Sequence, residues 1–310
     1  MPCAAESWDG RTTTEGSHSS DHRIRYLRPA PGLESFVRCY AHRSCRVLEG
    51  AVVHPVHARA APVLEFVLGG QIDIAYFDGR PARPSPSPNL VGVHTGRRAQ
   101  LLIRGNADSF VILFRPAALH RLFSLPMLEL TDLEFDARSV LGASLGNLEQ
   151  RLGDCRTFEG RASIANEFLL RRALQTGAVD GVSAAAEQMI RRAGTLKIAE
   201  LAHQAGLSLR QFERRFARQI GMGPKMFARV ARFEAAMDCM TRSGVDSWTD
   251  LAHRFGYFDQ MHMVHEIADL TGETPTRTLN VFRGFFCTEL DALRSDGDKK
   301  SALHATRIIL

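Results

Sequence analysis

The feature that most constrains this 310-residue chain is an internal repeat in its last third. "IAELAHQAGLSLRQFERRFARQIGMGP", residues 198–224, aligns with "WTDLAHRFGYFDQMHMVHEIADLTGETP", residues 248–275. Leu201-Ala202-His203 matches Leu251-Ala252-His253, and Gly206 matches Gly256. After one inserted residue, Phe216 matches Ile267, Gly221 matches Gly272 and Pro224 matches Pro275. Each copy reads as a short helix with Leu and Ala on its inner face, a glycine, and a second helix. Gly206 and Gly256 are the turn residues, because a tight helix-to-helix turn needs left-handed backbone. Ser208, with Gln211 three residues on, is a capping-box pattern that opens the second helix of the first copy. One helix-turn-helix pattern is a weak signal. Two at a constant offset, each leaving through Gly-x-x-Pro, are specific.

These residues resemble the AraC/XylS family of bacterial transcriptional regulators over about residues 182–286. The carriers are "LAHQAGLSLRQFERRF", "GMGPKMFARVARFEAAM", and "LAHRFGYFDQMHM" with "TGETP". The resemblance implies seven helices, with two helix-turn-helix units held about one DNA turn apart by a central helix. Here that helix is roughly Pro224 to Met240, and proline suits its first turn. The resemblance also implies sequence-specific reading of double-stranded promoter DNA. "FRPAALHRLFSLPMLELTD" resembles a segment in the sensor regions of some members, which implies a regulatory domain without naming its ligand.

Upstream, from Ile24 to about Leu130, the chain has strand-like runs broken by turn chemistry. "PVLEFVLGGQIDIAYFDGRP" alternates around Gly69-Gly70 and stops at Asp78-Gly79, a hairpin-like signal. "AQLLIRG" and "DSFVILFRP" read as two further short strands. "ASLGNLEQRL" and "FEGRASIANEFLLRRAL" carry apolar residues at helical spacing, and "QTGAVDG" reads as a linker. The expected fold class is therefore α+β. A disordered lead-in covers 1–22. A β-rich, then helical, regulatory domain spans 23–180. An all-α domain with two helix-turn-helix units spans 182–286, and a flexible tail covers 290–310.

On a helical wheel, Leu209, Phe212, Phe216 and Ile220 of the first copy share an inner face. Arg214, Arg218 and Gln211 lie opposite, flanked by Arg210 and Arg215. Arginine can bond guanine bidentately, glutamine can do the same with adenine, and arginine also neutralises phosphate. By match to the family motif, Arg210, Glu213 and Arg214 stand where base-reading side chains are expected, and Arg215 and Arg218 suit phosphates. This puts the first recognition helix, about 208–219, in the major groove. In the second copy, about 259–270, Met263, Ile267 and Leu270 face inward, and Gln260, Met261, His262 and His265 are the outward DNA-facing candidates. A histidine stands at 265 where the family usually has a basic residue, and Asp269 lies close to the expected phosphate. Residues 182–244 carry eleven basic and five acidic side chains, a balance of +6. Residues 245–286 carry three and six, a balance of −3. Since affinity for DNA comes largely from counterion release at phosphates, the first unit should dominate.

Other clusters compete for a role. His262, His265 and Asp269 could hold a metal ion, but the repeat already accounts for that exposed face. Cys39, His42 and Cys45, with His54 and His57, fit no zinc template. In a regular strand Cys39 and Cys45 oppose His42, so a buried cysteine with surface histidines is expected. Glu65 could bind a cationic or hydroxyl-bearing ligand if its strand lines a pocket, though exposure on an open sheet face is the expectation. The six cysteines, at 3, 39, 45, 155, 239 and 287, have no framework spacing, so reduced thiols in a cytoplasm are expected. No apolar run reaches the ~18 residues of a membrane span. H-E-x-x-H and the P-loop are absent from the sequence and no catalytic constellation is found, so no enzyme activity is expected. The net charge of +5 permits a nucleic-acid partner.

The expected function is a cytoplasmic, sequence-specific transcriptional regulator, an activator by the family's habit. No cofactor and no metal are expected. The expected partners are promoter DNA, RNA polymerase, a small-molecule effector and a second copy of the chain. The alternative is an effector- or metal-binding sensor whose DNA-binding domain has weakened.

Overall fold

A computed structural model describes the backbone of residues 21–243 and 247–286 and the side chains of 23–241 and 247–280. Residues 1–20 of the expected lead-in, the tail from 290, Cys3 and Cys287 lie outside the described residues. The α+β architecture forms as expected, with an antiparallel sheet first and helices after it.

The strands are β1 (Asp21–Leu27), β2 (Val37–Arg46), β3 (Val52–Val56), β4 (Val63–Tyr76), β5 (Arg83–Pro84), β6 (Asn89–Val91), β7 (Ala99–Phe114) and β8 (Glu134–Asp136). The hydrogen-bonded order is β1-β2-β7-β4-β6-β8, with β3 on β7 and β5 on β4. β1 begins at Asp21, inside the range expected as disordered.

Two sequence expectations are corrected here. Val63–Tyr76 is one strand of 14 residues, not a hairpin turning at Gly69-Gly70. Those glycines form a bulge where the register against β7 shifts, and the chain turns only beyond Tyr76 to bring β5 back onto β4. "AQLLIRG" and "DSFVILFRP" are likewise halves of a single 16-residue strand, β7, bent at Gly105 (φ 66°). One half of β7 pairs with β3 and the other with β2, while β4 runs along both. Local propensity marks the apolar halves, but only the shared partner strand joins them.

Alternation sends the two sheet faces to different cores. Tyr40, Leu64, Phe66, Phe110, Ile112 and Phe114 pack under α1 (Ala118–Phe123), α2 (Ala137–Leu141), α3 (Ser144–Asp154) and α4 (Phe158–Ala173). Their neighbours Cys39, Ala41, Val63, Val111 and Leu113 belong instead to the core of the C-terminal helices.

Among the described residues seven helices follow. They are α5 (Gly181–Arg191), α6 (Ile198–Gln204), α7 (Leu209–Ile220), α8 (Pro224–Ser243), α9 (Trp248–Arg254), α10 (Gln260–Thr271) and α11 (Pro275–Phe286). α8 is the central helix, three residues longer than expected. No described helix is long and apolar enough to cross a membrane.

The two halves are stitched together by polar contacts as well as by the shared core. The Ala58 amide donates to the Leu270 carbonyl (3.3 Å), and the Ala60 amide donates to Glu234 Oε1 (2.9 Å). Arg97 bonds Glu273 (2.7 Å), and Arg115 bonds Glu187 (3.0 Å). The Thr131 hydroxyl donates to the Gly221 carbonyl. The sheet domain thus touches the C-terminal ends of both α7 and α10.

Candidate functional site

The two turns of the repeat close in the same way. Gly206 (φ 67°) donates to the His203 carbonyl and Leu207 to that of Ala202, both at 3.0 Å. Gly256 (φ 71°) donates to His253 (3.1 Å) and Tyr257 to Ala252 (2.9 Å). This is a Schellman ending, in which glycine takes the left-handed position that a side chain would strain. The capping box forms as expected: the Gln211 amide donates to Ser208 Oγ (3.4 Å), and Gln211 Oε1 accepts the Ser208 amide (3.2 Å).

α7 is strongly two-sided. Phe212, Phe216 and Ile220 are buried, with Phe216 edge-on to Phe227 of α8 at 5.3 Å between ring centroids. Arg210, Gln211, Arg214, Arg215 and Arg218 are exposed and Glu213 is half-buried. Leu209 departs from the expected inner face. It sits at the first helical position with 47% of its surface exposed, because the chain is still emerging from the turn there.

In α10, Met263, Ile267 and Leu270 are buried as expected, and Gln260, Met261, His262 and His265 are exposed. Asp259 caps the helix, accepting the His262 amide at 2.7 Å. His262 is engaged locally, since its Nδ1 accepts the Phe258 amide (3.2 Å) and its Nε2 lies 3.9 Å from Glu266. Gln260 Oε1 accepts from Thr249 (3.2 Å). That leaves Met261 and His265 as the outward side chains of this group with no such tie among the described contacts.

The acid at 269 is not bare. Arg229 of α8 reaches both Glu266 and Asp269 at 3.2 Å, with Arg232 at 3.9 Å from Glu266. Glu266 is buried, whereas the Asp269 side chain remains 71% exposed. Sequence reasoning missed Arg229 because it lies 37 and 40 residues from its partners. Phe258, just before the capping Asp259, is exposed at the mouth of α10.

Among the described residues no three His, Cys, Asp or Glu side chains come together as a metal site, and His262, His265 and Asp269 do not converge. Cys39, Cys45, Cys155 and Cys239 are in no disulfide. Burial pushes the Cys39 thiol up to about 12, which makes it inert. His54 and His57 are buried, correcting the expectation of surface histidines.

Glu65 is corrected too. It is 4% exposed and faces a cavity of about 60 Å³ inside the sheet domain. Arg43, His57, Arg59, Asn89 and His94 share that cavity. Arg43 pairs with Glu65 at 3.2 Å, and Arg59 donates to the Ala61 carbonyl at 2.9 Å. Burial pushes Arg59 down to about 10, against the opposing pull of Glu234 and Glu65. Burial holds His57 and His94 neutral, down to about 3. Arg43 Nε and Nη1, Arg59 Nη2, Asn89 Oδ1 and both ring nitrogens of His94 have no hydrogen-bond partner. Buried polar atoms are nearly always satisfied by protein, water or ligand, so this cavity is the candidate place for one of the latter two.

Comparison with known proteins adds two family matches. Residues 201–280 match the family described as "Helix-turn-helix domain", and residues 25–136 match a "Domain of unknown function (DUF6597)". No curated protein matches the chain. Among solved structures, ToxT from Vibrio cholerae O395 is similar, with 10% identity and a TM-score of 0.45, covering 81% of this chain and 99% of that one. The AraC-like transcriptional activator CuxR shows 13% identity and a TM-score of 0.26, covering 70% and 86%.

Proposed function

We propose that the chain is a transcription regulator of the AraC type, supported by the match of residues 201–280 to the helix-turn-helix family, and that it reads promoter DNA mainly through α7. The observation that carries this reading is the continuous exposed row Arg210, Gln211, Arg214, Arg215 and Arg218 on a helix anchored by Phe212 and Phe216. Arg210, Glu213 and Arg214 are the base-contacting residues, with Gln211 beside them. Arg215 and Arg218 bind phosphate. α10 adds less. Met261 meets thymine methyls, His265 bonds a base edge or phosphate, and Gln260 and His262 mainly hold the start of the helix. Arg229 draws Asp269 back from the DNA side, which lightens the acidic penalty of the second unit without making it basic.

The same reading makes the chain a cytoplasmic activator that works with RNA polymerase, dimerises through residues near 140–176 or the sheet, and responds to a small-molecule effector held in the Glu65 cavity. The cavity is what supports the effector.

Genome-wide footprinting of the tagged protein supplies the target, and fluorescence anisotropy on a recovered fragment tests the residues. At fixed salt, Arg214→Ala is expected to abolish specific binding, whereas His265→Ala weakens it about tenfold or less. Equal losses from the two changes refute the division of labour. Binding that does not weaken with added salt favours the sensor alternative, because phosphate contacts release counterions.

A further inference from the structure

The wall between the Glu65 cavity and the C-terminal helices is one residue thick. Arg59 and His94 face each other as a short antiparallel bridge, with Arg59 donating to the His94 carbonyl (2.8 Å) and His94 donating back (3.0 Å). Extended backbone alternates its side chains. His57, Arg59 and His94 therefore turn into the cavity, while Ala58, Ala60 and Val93 join the core of the DNA-binding helices.

The outer side of this wall holds three separate points of those helices. The Ala58 amide bonds the Leu270 carbonyl at the end of α10. The Ala60 amide bonds Glu234 on α8. Val93 lies against Gly221 at the end of α7, so close that a Cβ built on that glycine would meet Val93 Cγ2 at 2.7 Å. A group bound inside presses on residues adjacent to all three contacts.

The inner side defines the guest. Its orphaned groups are donors on Arg43 and Arg59, the Asn89 Oδ1 and Glu65 Oε1 acceptors, and the neutral His94 ring with one donor and one acceptor. Within the cavity Glu65 pairs with Arg43, Arg59 is drawn toward both Glu234 and Glu65, and Glu134 is turned to Arg83 (2.8 Å). An acceptor-rich anion with one hydroxyl satisfies these atoms, and a cation does not. About 60 Å³, at roughly 10–15 Å³ for each water-sized group, holds about four to six such groups.

We propose that this cavity binds a small hydroxycarboxylate, its carboxylate on Arg43 and Arg59 and its hydroxyl on Asn89 or His94, and that occupancy shifts the Arg59–His94 bridge and with it the ends of both recognition helices. The output on DNA rests on the reading of the chain as a DNA-binding regulator. Binding and movement of the wall do not.

The test uses the full chain with sodium glycolate and sodium lactate, and with propane-1,2-diol as the uncharged control. The acids are expected to raise the melting temperature by about 5 °C at roughly 100 times their Kd, and the diol to leave it unchanged. Hydrogen exchange at the Ala58 and Ala60 amides should change at least several-fold with acid, and affinity for the footprinted DNA should change about fivefold or more. The double variant Arg43→Gln/Glu65→Gln, which removes both charges together, should lose the acid response at least tenfold. The absence of any acid effect, or an equal effect of the diol, overturns the ligand class. Acid binding with unchanged exchange at Ala58 and Ala60 overturns the relay. Absence of DNA binding under every condition sinks the regulator reading alone, since melting and exchange are still measured.

Discussion

Arg229→Ala tests how the acidic second unit is held together. Arg229 is 38% exposed and makes two contacts of different worth. Its Asp269 arm ends on a carboxylate that is 71% exposed, and such surface pairs contribute about 0–1 kcal/mol. Its Glu266 arm ends on a carboxylate only 7% exposed. Removing one partner of a fully buried pair costs about 3–5 kcal/mol, because the other charge is left unpaired in low dielectric. Two features reduce that figure. Solvent already screens Arg229, and Arg232 remains 3.9 Å from Glu266. The expected loss is therefore about 2 kcal/mol in urea unfolding, seen as a lower midpoint at unchanged slope. Arg229→Leu combined with Glu266→Gln should recover part of it, because Glu266 is then neutral, while Arg232 loses its carboxylate partner and keeps its place over the Tyr257 ring. Affinity for DNA should drop in Arg229→Ala beyond what one lost cation explains, since Asp269 is then released toward the phosphates. A loss below about 0.5 kcal/mol, or a double variant as unstable as the single one, refutes the reasoning.

Three further outcomes follow from the geometry. Phe216→Ala should cost about 3–5 kcal/mol as a cavity in the core, whereas the half-exposed Leu209→Ala should stay within about 1 kcal/mol, both read by chemical denaturation. Gly70→Ala should destabilise by about 2 kcal/mol or more, because its φ of 72° strains any side chain and the added Cβ would lie 2.6 Å from Ala107 Cα; an unchanged unfolding midpoint would contradict the bulge. Stability should also fall with acidification below pH 6.5. His57 and His94 stay neutral when folded, down to about 3, against 6.5 unfolded, so the unfolded chain binds two extra protons between those limits. Glu134, pushed up to about 7 by burial from 4.5, opposes them by one proton above pH 4.5. The net slope is about 1.4 kcal/mol per pH unit between 6.5 and 4.5 and about twice that below. A flat melting temperature between pH 6.5 and 4.5 would refute it.

The helix-turn-helix repeat was legible in the sequence because everything that makes it is local. Apolar residues at i and i+4, Ser208 with Gln211, and glycines at 206 and 256 specify helix, cap and turn within about a dozen residues, and the exposed arginines follow from the buried phenylalanines opposite them. The sheet was legible only in pieces. Alternation shows that a strand has two faces and does not say what covers either, so Glu65 read as exposed when it is buried against Arg43, 22 residues earlier. Val63–Tyr76 and Ala99–Phe114 read as broken because their continuity comes from pairing with each other. The one-residue wall of Arg59 and His94 and the hold of Arg229 on Glu266 and Asp269 join residues 35 to 40 apart in the chain, and the cavity gathers side chains from Arg43 to Glu134. No local pattern encodes such pairs. Register and packing bring them together, and they determine which charges are buried, which are matched and which side chains can respond to a guest.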